Sequence, residues 1–200
     1  MNIIKKRLIK AEEKLNMDVA RITTRIFMQA KTTVENSNEY KSFAFGLKDS
    51  VEPEADDCLG GYYALVDDAF TEVLNSISNG DKPNFADIPV NEIVTEFVEG
   101  INSYFEMLMS NRATRIIDRE TEALTTEQQD KVIELVFRTV KRTNLVTKNQ
   151  VNTKITNALK DVFNQIVKAG ADGAEAKYDE ISSESDLIEL WLKLKQSIRL

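Results

Sequence analysis

Residues 125–170 read TTEQQDKVIELVFRTVKRTNLVTKNQVNTKITNALKDVFNQIVKAG. In the second half of this stretch Val151, Ile155, Ala158, Leu159, Val162, Phe163, Ile166 and Val167 recur at the three-and-four spacing that gathers them on one face of a helix. Both ends of that helix are marked. Thr147 and Gln150 have capping-box spacing, Val146 and Val151 have that of a hydrophobic staple, and Lys168 and Gly170 suit the carboxyl end. The first half opens on Thr125 or Thr126, with Gln128 or Gln129 as box partner. It carries Val132, Ile133, Val136, Phe137 and Val140 inward and ends in Arg138, Lys141 and Arg142 before a turn at Thr143-Asn144. The stretch therefore predicts two amphipathic helices in an αα-hairpin, with the other segments as packing partners.

The flanking sequence has the same character. Ile4, Leu8, Ala11, Leu15, Val19, Ile22, Ile26, Ala30 and Val34 form a heptad-like stripe that predicts a first helix of about thirty residues. The segment 36–49 lacks periodicity and reads as a loop. A second helix is expected to open near Pro53, to carry Cys58, Leu59, Tyr62, Val66, Ala69, Phe70, Val73 and Ile77 on its apolar face, and to stop at Asn79-Gly80. Gly60-Gly61 within it suggests a kink or a close helix contact. Residues 81–89 hold two of the three prolines and read as a linker. A long helix then runs from Val90 through Phe97, Ile101, Phe105 and Met109 to Ile117, with Gly100 as a candidate bend. After a connector at Ala171-Asp172-Gly173, a last helix is expected to begin near Ser183.

Seven glycines, three prolines and almost no strict alternation among 200 residues move the expectation from sheet to helix. The expected fold is all-α: an elongated bundle of five to six helices with a central αα-hairpin and projecting terminal helices. Chain order suggests an N-terminal helical pair (1–80), a linker (81–89), a long helix plus hairpin (90–170), and a linker with a C-terminal docking helix (171–200).

Thirty-three acidic against 26 basic residues give a net charge of −7, which repels phosphate backbones as a whole. The single Cys58 has no internal disulfide partner, no apolar run approaches membrane-spanning length, and residues 1–10 lack the apolar core of a signal peptide. These features point to a cytoplasmic site of synthesis and to no membrane partner.

The absence of histidine removes the commonest general base and metal ligand, and with it Ser-His-Asp and Cys-His pairs and the carboxylate-histidine motif of di-iron bundles. No phosphate loop or dinucleotide fingerprint is present. Glu52, Glu54, Asp56 and Asp57 crowd one helix start without EF-hand spacing, where negative charge suits the helix dipole. No enzyme activity, cofactor or metal is expected. Binding features remain. Leu187, Ile188, Trp191, Leu192 and Ile198 make the last helix apolar on more than one side and are candidate partner-binding residues. Lys5, Lys6, Arg7 and Lys10 sit at the helix end that disfavours cations, and Arg112, Arg115 and Arg119 fall at spacings of three and four. These are candidate anion or nucleic-acid contacts, with a solvated, salt-bridged surface as the alternative. Lys148, Asn149, Gln150, Asn152 and Lys154 open a helix as base-reading side chains do in a helix-turn-helix, although capping alone predicts polar residues there.

The segment SNRATRIIDRETE (residues 110–122), followed by Leu124-Thr125-Thr126-Glu127-Gln128, resembles helical segments of tailed-bacteriophage minor head and head-tail connector proteins. The histidine-containing region often found downstream in that family has no counterpart here, and no functional residue carries over. The resemblance implies a class, virion assembly proteins. The expected function is thus that of a non-enzymatic structural or capsid-assembly protein of a phage particle, acting through helix-mediated homo-oligomerisation and contact with other structural proteins, and located in the virion. The alternatives are a helical DNA-recognition or packaging-regulatory protein, small terminase-like, and an inhibitor of a host protein.

Overall fold

A computed structural model describes the backbone of residues 3–45 and 57–182 and the side chains of 12–41 and 57–181. Among the described residues seven α-helices follow one another: α1 (Ile3–Glu35), α2 (Asn38–Phe45), α3 (Gly60–Ser78), α4 (Val90–Thr121), α5 (Thr126–Lys141), α6 (Lys148–Ala169) and α7 (Ala174–Ser182). A 3-10 turn at Phe85–Asp87 precedes α4, and no strand occurs among the described residues. The chain is all-α.

The helix ends follow the capping chemistry of the sequence. At the start of α5 the Thr125 N–H donates to Gln128 Oε1 at 2.8 Å and the Gln128 N–H returns to the Thr125 hydroxyl at 3.4 Å, a reciprocal box. At the start of α6 Gln150 Oε1 accepts from both the Thr147 N–H (2.7 Å) and its hydroxyl (2.9 Å). Gly170 closes α6 at φ 71°, where any side chain would be strained.

The described residues fall into two compact units, each built from two separated stretches: Met1–Ser37 with Phe105–Asn144, and Asn38–Tyr104 with Leu145–Leu200. In the first, α1 packs on α5, beside the second half of α4. Val19, Ile22, Ile26, Ala30 and Val34 are buried with Val132, Val136 and Val140 of α5 and Phe105, Met109, Ala113 and Ile117 of α4. Full burial of each Val or Ile contributes about 1.5–3 kcal/mol. In the second unit, α3, the first half of α4, α6 and α7 surround Phe70, Phe97, Ile93, Leu159 and Ile166.

This grouping cuts across the division suggested by chain order. The helices of the 125–170 stretch bury their apolar faces in different units, α5 against α1 and α6 against α3 and α7. Residues 81–89 fold into the second unit, where Phe85 meets Phe163 edge-on at 5.6 Å and Ile88 is buried. Two apolar side chains anchor a segment that its prolines mark as a linker. Residues 38–45, read as loop, form α2; the segment contains neither Gly nor Pro, and Glu39 in its first turn suits the helix dipole. Ala174, Tyr178 and Ile181, at helical spacing, are buried along α7 in what reads as connector. The expected last helix from Ser183 onward lies outside the described residues.

Two polar or small residues set close contacts in the second unit. Gly100 is a packing glycine: a Cβ there would lie 2.4 Å from the Cys58 carbonyl oxygen. Asn102, buried in α4, donates to the Val98 and Val146 carbonyls (2.9 Å each) and accepts from the Val146 N–H at 3.0 Å. That side chain satisfies both backbone groups of Val146 just ahead of the α6 cap, positions that would otherwise be buried unpaired.

Candidate interaction surfaces

The apolar stripe of α1 is left open at the start of its described side chains. Among the described side chains of α1 the first buried one is Val19, and every one from Glu12 to Met17 is exposed. Leu15, a member of the stripe, is 47% exposed and Met17 is 72% exposed. On α5, Ile133 is 37% exposed, and Lys131 Nζ reaches Asn16 Oδ1 at 3.3 Å. Lys5, Lys6, Arg7 and Lys10 occupy the first turns of the α1 backbone; their side chains lie outside the described set.

A second surface lies in the same unit. An open groove of about 860 Å³ is lined by Arg25, Met28 and Thr32 of α1, by Asn36 just beyond it, and by Ile116 and Arg119 of α4. Its lining is mostly apolar, with Met28 48% exposed, and one carboxylate offsets part of the charge of its two guanidinium groups. Glu120 Oε2 accepts from Arg25 Nη2 at 2.5 Å, and Glu120 Oε1 lies 3.4 Å from Arg119 Nη2. With Arg25 half-exposed and Arg119 more so, each pair contributes at most about 1 kcal/mol. Of the predicted arginine strip, Arg119 lines this groove and is paired, Arg115 is exposed and Arg112 half-buried. Arg25 went unmarked in the sequence because its partner is 95 positions away and no local spacing signals it.

Comparison of the chain with protein-family models, with curated proteins and with solved structures yields no match. The remaining candidate sites therefore rest on their own geometry.

At the start of α6, Asn149, Gln150 and Asn152 are exposed, but Gln150 is engaged in its cap and Lys148 Nζ donates to Thr95 Oγ1 of α4 at 2.7 Å. Part of the predicted base-reading set is thus used in holding the helix. Among the described residues no group of three or more metal-ligating side chains gathers; Asp57 is exposed, and Glu52, Glu54 and Asp56 lie outside them. No described helix is long and apolar enough to cross a membrane. The Cys58 thiol has its pKa raised by burial and then by neighbouring Asp57, which disfavours the nucleophilic thiolate. Tyr178, whose hydroxyl donates to Asp67 Oδ1 at 2.7 Å, is pushed well above the ordinary tyrosine range by burial and by that carboxylate. Its role is to tie α7 to α3. The predicted partner-binding residues Leu187, Ile188, Trp191, Leu192 and Ile198 lie outside the described residues.

Proposed function

We propose that the protein is a non-enzymatic assembly subunit of a tailed-phage particle, a head or head-tail connector component that works through helix-mediated oligomerisation. The observation that carries the oligomerisation is the α1 stripe left open at Leu15, which is 47% exposed, while Met17 on another face of the helix is 72% exposed. A helix whose apolar face outruns its own unit exposes surface that association removes from water. The virion setting rests on the resemblance at residues 110–128, which span the later half of α4 and the first turn of α5. The net charge of −7 favours protein partners over nucleic acid.

Two measurements test this reading. The purified full chain is expected to form a discrete oligomer by light scattering across a concentration series, and particles purified from cells that make the protein in its native setting are expected to contain it at fixed stoichiometry. A monomer at every concentration together with absence from particles contradicts it. Steeply salt-dependent DNA binding in its place supports the recognition or packaging alternative.

A further inference from the structure

The groove lined by α1 and α4 combines two features that the first unit leaves unmatched. Arg25 and Arg119 share one carboxylate, Glu120, so one guanidinium charge stays in excess. The excess grows along α4. Arg112 and Arg115 precede Arg119 by seven and four residues, on the same side of the helix, and neither forms an ion pair among the described residues. Asp118 on α4 and Glu122 just past it are exposed but do not line the groove. Beside the charges, Met28 (48% exposed) and half-buried Ile116 offer apolar surface.

Charge and apolarity together select the occupant. Nucleic acid meets such a surface mainly through phosphates, which would leave the apolar lining in water. The matching chemistry is a protein segment that carries carboxylates beside large apolar side chains. Residues 49–57 hold five carboxylates but only Val51 as a branched apolar side chain. Residues 183–192, SESDLIELWL, hold both: Glu184, Asp186 and Glu189 with no cation among them, and Leu187, Ile188 and Trp191 at three-and-four spacing from Glu184.

We infer that residues 183–192 of one copy dock in this groove on a second copy, their carboxylates against Arg115 and Arg119 and their apolar side chains over Met28 and Ile116. The inference rests on the assembly reading above and adds a directed contact to it. Groove and tail are different surfaces, so the contact is of the heterologous kind that closes into a ring or continues as a filament. Residues 183–200 follow α7, and a chain of that length spans up to about 60 Å when extended, enough to reach a neighbouring molecule.

The test is sedimentation equilibrium of the full chain at low ionic strength, where surface charges are least screened. Arg115→Glu with Arg119→Glu reverses the groove and is expected to weaken self-association roughly tenfold, as like charges are brought together. Glu184→Arg with Glu189→Arg reverses the tail and is expected to do the same. An equimolar mixture of the two variant chains, and a chain carrying all four substitutions, are expected to recover the association, a pattern that misfolded chains do not produce. Excess free peptide of residues 183–192 is expected to lower the mass of the unaltered chain. Weakening without recovery in the mixture overturns the groove-to-tail contact. A discrete oligomer indifferent to the substitutions overturns it too and leaves the assembly reading standing, while a monomer throughout overturns both. Duplex DNA binding that the groove variant loses, with self-association intact, assigns the arginines to phosphate and likewise overturns the contact.

Discussion

At the residue scale the glycines carry the sharpest contrast. Gly60 and Gly100 both sit in helices, where alanine is ordinarily favoured by up to about 1 kcal/mol. A Cβ at Gly60 meets nothing within 4 Å, whereas one at Gly100 meets the Cys58 carbonyl oxygen at 2.4 Å, a backbone atom with no rotamer to yield. Gly60→Ala is therefore expected to stabilise by about 0.4–1 kcal/mol and Gly100→Ala to destabilise by about 1–3 kcal/mol in urea unfolding. Equal signs would contradict the packing described. Tyr62 gives a second residue-scale prediction. It is buried against Phe97, and its hydroxyl has no hydrogen-bond partner among the described residues. Burial raises its pKa above the ordinary value of about 10, so the folded state holds its proton where the unfolded state releases it. That contribution is complete below about pH 10 and is lost as pH rises through the folded value. Tyr62→Phe is expected to raise stability by about 1 kcal/mol at neutral pH and to flatten the loss of melting temperature above about pH 10; Tyr178 retains part of that loss. A destabilised Tyr62→Phe would mean that the hydroxyl is paired.

At the scale of elements, the truncation boundary follows from α7. Ala174, Tyr178 and Ile181 are buried, Tyr178 packs on Phe70 with ring centroids 5.6 Å apart, and its hydroxyl holds Asp67. A chain ending at Gly173 is expected to lose about 3–5 kcal/mol of stability from the unit that holds α3 and α6, while a chain ending at Ser182 keeps it. Circular dichroism melts distinguish the two, and equal stability of both chains would remove α7 from the core. The same helix shows where sequence reading stops. The faces of α1, α3, α4, α5 and α6 were legible because each is long enough for a 3.6-residue period to stand out, and the caps at Thr125 and Thr147 and the stop at Gly170 follow from local hydrogen-bond chemistry. The short α2 and α7 show too few turns for a period. Asn102 and Phe85 look like ordinary polar and loop residues until Val146 and Phe163, 44 and 78 positions on, are placed beside them. Gly100 read as a bend because a contact made by a missing side chain leaves no pattern.

For the whole molecule, chain order misled where contacts between distant segments decide. Each compact unit joins an early and a late stretch, with the continuous α4 contributing its first half to one and its second half to the other. Of the candidate surfaces, the α1 stripe was visible in sequence, but the exposure of Leu15 within it was not, because the cover that α5 gives depends on tertiary register. The arginine strip was visible too; the pairing of Arg119 with Glu120 and the recruitment of Arg25 to the same carboxylate were not. The account depends most on α1 acting as an association surface. The direct test is the light-scattering mass of the full 22.7 kDa chain over a concentration series, run beside Leu15→Lys at the exposed end of the described stripe. The account predicts a concentration-dependent rise from monomer to a discrete multiple, displaced to roughly tenfold higher concentration in the variant, which loses a leucine that association would bury. A mass that stays at the monomer value, or an oligomer that the substitution leaves unchanged or tightens, would contradict it.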